Sequence, residues 1–255
     1  MQYIFLLLPF LVVFFDVLAE SRQLPGLPLG DTEITVGESQ MVQKQQMIHE
    51  ILAEIHDTQN LTGKSALSPK VLAAIQTIPR EEFVPTSLRE KAYLNIPLPI
   101  GSGQTISQPY IVAIMTELLE IKASDRVLEV GTGSGYQAAI LSKLAKEVYT
   151  IEIIPELSNH AKKIFEKLGY TNIHVSVKDG AKGWKEHAPF NAIIVTAVAP
   201  SVPQSLLDQL VPEGRMVIPI IDNQGEQYLI FVRKDKAGKV HHELLLPVRF
   251  VPLTN

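Results

Sequence analysis

The chain has 255 residues, 46% of them hydrophobic, with 23 basic against 27 acidic side chains and a net charge of -4. That length allows one large α/β domain or two small ones, and the apolar share supports a sizeable core rather than a disordered chain. No basic excess invites nucleic acid, and the absence of cysteine excludes disulfides, thiolate metal sites and cysteine nucleophiles.

From Tyr3 to Leu18 the chain is almost wholly apolar, broken by Pro9 and Asp16, and Val17-Leu18-Ala19 has the small-residue look of a cleavage site. Residues 1–19 therefore read as a signal peptide. No Lys or Arg precedes Arg22, and a basic residue just after the apolar run also suits an uncleaved membrane anchor. A start codon assigned too far upstream is a third reading. Residues 20–39, with Pro25, Gly26, Pro28, Gly30 and Gly37, read as a linker. One domain is expected over 40–255, with a helical and loop region to about residue 120 and an α/β core beyond it.

Met41, Ile48, Leu52 and Ile55 fall at helical spacing and predict a helix over 40–57. Ser68-Pro69 offers an N-cap and a first-turn proline for a short helix through Ile78. Residues 79–109 are rich in Pro and Gly and read as irregular, a long connection of the kind that is more often functional than idle. Ile111, Ile114, Met115, Leu118 and Leu119 make one face of the next helix. Strands are then predicted at 126–130, 148–153, 173–177, 192–196 and 215–220, with helices at 136–144, 156–168 (stopped by Gly169) and 205–210. The apolar run at 192–196 suits a central parallel strand. Segments 228–233 and 240–246 read as a hairpin. Strand–helix alternation implies an α/β fold, a doubly wound and mostly parallel sheet with a C-terminal antiparallel hairpin and N-terminal helices.

The strongest motif is Val127-Leu128-Glu129-Val130-Gly131-Thr132-Gly133-Ser134-Gly135-Tyr136, where the first core strand turns into a helix. This is where such sheets bind nucleotide-like ligands, and the three glycines permit a tight turn close to one. A dinucleotide fingerprint would need glycine where Tyr136 stands. Glu-x-Gly-x-Gly-x-Gly instead resembles motif I of the class I S-adenosylmethionine methyltransferases. S-adenosyl-L-methionine carries a sulfonium and an ammonium but no phosphate, so carboxylates near the loop suit it. Glu129 lies in the strand leading to the loop, Glu152 ends the next strand where an acid can take ribose hydroxyls, and Asp179-Gly180 follows the third.

After the fourth strand, Val195-Thr196-Ala197-Val198-Ala199-Pro200 has no side-chain carbonyl to align an amine, nor a His or acid to serve as base for an alcohol. A carboxylate acceptor, with a pKa of about 4, is already ionised and needs only alignment. Residues 100–110 supply glycines, hydroxyls and a helix N-terminus that favours an anion. Ser107 also stands where a serine would cap that helix. The seven histidines (His49, His56, His160, His174, His187, His241 and His242) show no ligand spacing, and no metal is expected.

The run Pro97-Leu98-Pro99-Ile100-Gly101-Ser102-Gly103-Gln104-Thr105-Ile106-Ser107-Gln108-Pro109 resembles the signature of bacterial protein-L-isoaspartate O-methyltransferases. So do Arg80-Glu81-Glu82-Phe83-Val84-Pro85, residues 128–139, residues 191–197 and Arg249-Phe250-Val251-Pro252-Leu253. The resemblance runs from about residue 40 to the C-terminus. It implies methyl transfer from S-adenosylmethionine to the free carboxylate of L-isoaspartyl residues in damaged proteins and peptides, followed by succinimide formation. It implies Ser107 as the active-site residue, with Gln104, Thr105, Ile106 and Ser107 also touching the cofactor beside Glu129, Gly131, Gly133, Gly135, Glu152, Asp179 and Gly180. The backbone of Val195, Thr196 and Ala197 is implied at the substrate. Two positions depart from the family pattern: Lys178, which could reshape the adenine edge or compete for Asp179, and Asn191 at the far end of the fourth strand. The alternatives are another class I carboxyl or O-methyltransferase and a catalytically silent S-adenosylmethionine-binding protein. Family resemblance and donor supply imply the cytoplasm, while residues 1–19 point to a periplasmic or membrane-anchored location.

Overall fold

The computed structural model describes residues 36–254, so the expected signal peptide or anchor and nearly all of the linker lie outside the described residues. Helix α1 (Val36–Asp57) buries Met47, Ile51 and Ile55, one apolar residue per turn, and packs on α4. After the single-turn α2 (Gln59–Thr62), helix α3 (Pro69–Thr77) begins at the expected proline. Its Ser68 does not cap it through the side chain: the hydroxyl is drawn off to the Glu117 carboxylate at 2.8 Å. The segment read as irregular is more ordered than its composition suggests. Two 3-10 turns (Arg80–Phe83 and Thr86–Lys91) precede an antiparallel hairpin of β1 (Leu98–Gly101) and β2 (Gln104–Ile106). Its turn runs Gly101, Ser102 and Gly103 through positive φ (95°, 52° and 70°), a path that glycine takes without strain. Helix α4 (Pro109–Leu118) follows, buried along almost its whole length.

The core sheet has β3 (Arg126–Val130), β4 (Glu147–Glu152), β5 (Ile173–Val177), β6 (Phe190–Val195), β7 (Leu210–Ile221), β8 (Gln227–Lys234) and β9 (Val240–Pro247). Their order is β5-β4-β3-β6-β7-β8-β9, parallel from β5 to β7 and antiparallel at β8 and β9. The connecting helices are α5 (Tyr136–Ser142), α6 (Pro155–Leu168) and α7 (Gln204–Asp208). Alternate strand residues feed two cores. Val127, Val148, Ala192 and Val217 pack with α1, α3, α4, α5 and α6, whereas Leu128, Val130, Ile193 and Met216 pack with Trp184, Leu206 and Leu207. Both sheet faces are covered, which explains the near-continuous apolar strands. Leu210, read as the end of a helix, instead opens β7 opposite Phe190. The strand then bulges before Arg215 pairs Ala192, with Glu213 at a φ of 62°. No helix among the described residues is long and apolar enough to cross a membrane.

Candidate functional site

The glycine turn leaves the C-terminal end of β3 beside the strand-order reversal, where two parallel neighbours open a crevice. The backbone N–H groups of Gly131 and Thr132 donate to the Ile151 carbonyl (2.8 and 3.1 Å), folding the turn across the end of β4. Glu152 then holds it open: Oε2 accepts from the Gly133 N–H at 2.8 Å and Oε1 from the Ile154 N–H at 3.0 Å. Gly131, at a φ of 99°, could carry no side chain, because a Cβ would stand 2.3 Å from Thr196 Oγ1. That hydroxyl donates to the Gly131 carbonyl at 2.7 Å and ties the loop after β6 to the turn.

These pieces wall a cavity formed by residues 104–107, the turn, the Glu152 end of β4, Gly180, Thr196 and Ala197, with the C-terminal tail from Val251 to Thr254 closing one side. The tail is fastened by paired main-chain bonds between Val198 and residues 251 and 253 (2.9 and 2.8 Å). Glu152 is the one charged side chain on this wall among the described residues, and no Lys or Arg reaches it. A second cavity shares Thr105, Ser107, Thr196 and Val251 with the first and extends past Glu54, Gln108 and residues 246–250. Glu54, whose carboxyl burial raises above its usual pKa, is held there by the amides of Asn95 (2.6 Å) and Gln108 (3.1 and 3.2 Å).

Of the expected cofactor residues, Gln104, Thr105, Ile106, Ser107, Gly131, Gly133, Glu152 and Gly180 meet at the first cavity, joined by Thr196 and Ala197 from the expected substrate strand end. Four expected residues do not line it. Glu129 sits on the opposite strand face to Val130, fully buried, taking a hydrogen bond from the Thr150 hydroxyl, which is itself 2.6 Å from that of Thr132. Burial pushes its carboxyl up to about 8, partly countered by the Thr150 bond, and Oε1 has no partner. Gly135 instead lets α6 approach: a Cβ there would meet Phe165 at 2.7 Å. Asp179 spends its carboxylate on the Ala181 N–H and on Lys182, both at 3.0 Å. Val195 buries its side chain in the core.

Ser107 is not the cap of α4; Gln108 holds that position, without a side-chain cap bond. Ser107 presents itself to both cavities, and its carbonyl accepts from Arg80 Nη2 at 2.7 Å. Lys178 turns away from Asp179 to pair with Glu186 (3.0 Å) over the Trp184 ring. Asn191 accepts from the Arg126 N–H at 2.9 Å and pins the starts of β3 and β6. Three contributors were not marked by spacing or residue type: the Thr132–Thr150 pair, Glu54 and Arg80. Among the described residues no group of three or more His, Asp or Glu is placed to hold a metal.

A doubly wound sheet with a glycine turn braced by an acid at the next strand end is the framework of a class I methyltransferase. Residues 54–255 match the family described as Protein-L-isoaspartate(D-aspartate) O-methyltransferase, and the chain belongs to that family. It is 52% identical over 208 residues to Protein-L-isoaspartate O-methyltransferase 2 of Syntrophobacter fumaroxidans, covering 82% of this chain and 84% of the relative. The enzyme of the same name from Polaromonas sp. is also 52% identical, over 82% of this chain and 99% of its own. A solved structure named protein-L-isoaspartate O-methyltransferase superposes with a TM-score of 0.70 at 27% identity, over 83% of this chain and 66% of that one.

Proposed function

We propose that the chain transfers the methyl group of S-adenosylmethionine to the free α-carboxylate of L-isoaspartyl residues in proteins and peptides. The observation that carries this is the pair of cavities meeting at Thr105, Ser107 and Thr196, one with Glu152 as the sole charged side chain among its described lining residues. A cation without phosphate suits that wall, and the glycine turn gives it backbone at close range. Glu152 would hold the ribose hydroxyls, Ile153, Ile154 and the tail would flank the adenine, and the bound donor supplies an activated methyl group.

The acceptor needs no base, because a carboxylate is ionised at neutral pH. Ser107 and Thr105 offer hydroxyls at the junction of the cavities, where they would orient the attacking oxygen. Glu129 acts from beneath, through Thr150 and Thr132, to stiffen the turn. Methoxide leaves an ester far more readily than oxide leaves a carboxylate, so after release the chain's own amide nitrogen attacks the ester carbonyl, methanol departs and a succinimide closes.

With labelled donor, base-labile methyl ester is expected on an isoaspartyl peptide and not on small dicarboxylic acids offered at the same concentration. Ser107→Ala should lower turnover while largely keeping S-adenosylhomocysteine affinity. Preferential labelling of the small acids would instead favour the broader carboxyl methyltransferase reading, and donor binding without any transfer the silent one. Donor supply supports the cytoplasm as the compartment of action; a mature chain starting at Glu20 in an exported cell fraction would contradict that.

A further inference from the structure

Arg80 has no solvent exposure, and its partners are two main-chain carbonyls and an aromatic ring, none of them anionic. Nε donates to the Ala92 carbonyl at 2.9 Å, Nη2 to the Ser107 carbonyl at 2.7 Å, and the guanidinium lies 4.7 Å from the centroid of the Tyr136 ring. Nη1 has no hydrogen-bond partner, and neither has the Tyr136 hydroxyl. The acid next along the chain, Glu81, is engaged by the Tyr93 hydroxyl. Burial pulls the Arg80 pKa down to about 10, which leaves the group charged at neutral pH. A buried cation without a counter-ion is costly, so its place in the molecule needs a reason.

That place is directly behind Ser107. The guanidinium joins the first 3-10 turn, the end of the second at Ala92 and the loop entering α4, while its ring partner Tyr136 lines the donor cavity. Two anions enter this region in the proposed reaction, the acceptor carboxylate and the donor's own carboxylate. Arg80 is fastened to the acceptor loop and makes no hydrogen bond to the glycine turn. We propose that Arg80 is a positioning residue for methyl transfer, a cation anchored on the Ser107 carbonyl that favours, by its unpaired charge, the anionic acceptor. The assignment rests on the methyl-transfer reading above.

The chemistry says which constant the charge controls. A carboxylate oxygen forms the new bond to the methyl carbon, the carbon–sulfur bond breaks, and its electron pair returns to sulfur; the sulfonium becomes a neutral thioether and no proton moves. The negative charge on the acceptor shrinks on the way to the transition state. A fixed cation nearby therefore stabilises the bound acceptor more than the transition state, and acts on acceptor binding rather than on rate.

Arg80→Gln is expected to raise the acceptor KM roughly tenfold, the change that about 1.4 kcal/mol produces. Its kcat should stay within about twofold of wild type, and S-adenosylhomocysteine affinity should be unchanged. Arg80→Lys keeps a cation in the same dry site, where a lysine pKa falls well below its usual value. Its acceptor KM should match wild type near pH 7 and climb by about pH 9, below the range near 10 in which Arg80 itself gives up its proton. The titratable neighbours are Tyr93 and Tyr136, both raised by burial, with Glu81 on Tyr93 and Lys44 over its ring at 5.3 Å. They are common to both proteins, so the difference between the two profiles belongs to residue 80.

A wild-type acceptor KM in Arg80→Gln would overturn the assignment. So would a fall in kcat with no pH step in Arg80→Lys, which is what a purely structural brace gives. Loss of S-adenosylhomocysteine binding in both variants would make Arg80 a framework residue and overturn it equally. Absence of ester from wild type itself would sink the proposed reaction instead, so the two failures are distinguishable.

Discussion

Glu129 is a fully buried carboxyl group, lying under the turn rather than in the cavity. Burial holds its proton up to about 8, against an ordinary value of 4.5 in the unfolded chain. Between those values the folded state binds a proton that the unfolded state has released. Its contribution to stability is therefore fully present below about pH 4.5, is lost as pH rises through about 8, and is constant above. In Glu129→Gln that dependence should vanish: the wild-type minus variant difference in Tm should fall between pH 5 and 8, read by calorimetry without cofactor. Parallel curves would mean that the group ionises freely in the folded chain. The position also marks where reading the sequence stopped short. The acidic letter before the glycines was visible, but the face it occupies follows from alternation along β3, which sets residue 129 with Val127 and against Val130. Asp179 and Gly135 stand off the first cavity for a related reason, since a turn acid can serve its own backbone and a glycine can admit a neighbouring helix. Arg80 stood out only as part of a family-like stretch, because nothing local distinguishes a buried arginine from a surface one.

Elements with a strong period were legible almost to the residue: β3 and β5 have the predicted bounds, and α6 ends at Gly169 with a φ of 74°. What composition hid was short structure built from turn residues. The β1–β2 hairpin reads as loop because glycines, serine and prolines dominate it, yet its positive-φ turn lets Ile100 approach Gly133, whose Cβ would lie 3.5 Å from Ile100 Cδ1. The tail is the other such element. It was visible as a family resemblance but not as a wall, because the contact that makes it one is with Val198, more than fifty residues earlier. Deleting the chain from Val251 onward removes two main-chain bonds and the side of the first cavity, the proposed donor site, formed by Val251, Pro252 and Leu253. S-adenosylhomocysteine affinity is expected to fall at least tenfold, roughly 1.4 kcal/mol or more, with only a small drop in Tm. An unchanged affinity in a calorimetric titration would show that the tail only packs against the site.

At the scale of the whole molecule, the parallel sheet places every recognised strand end on one side, so residues from β3, β4 and β6 converge without any of them being close in sequence. That convergence follows from strand–helix alternation and was legible; the second cavity was not, since it depends on how α1, the hairpin and the last residues meet across the sheet. In the proposed reaction that cavity, beside the one with Glu152, would receive the peptide carboxylate. The decisive measurement offers labelled S-adenosylmethionine to two peptides that differ only in whether one residue is linked as L-isoaspartate or as ordinary aspartate. Label released by base as methanol should come from the isoaspartyl peptide, with the aspartyl twin at background. Equal release from both would contradict the account.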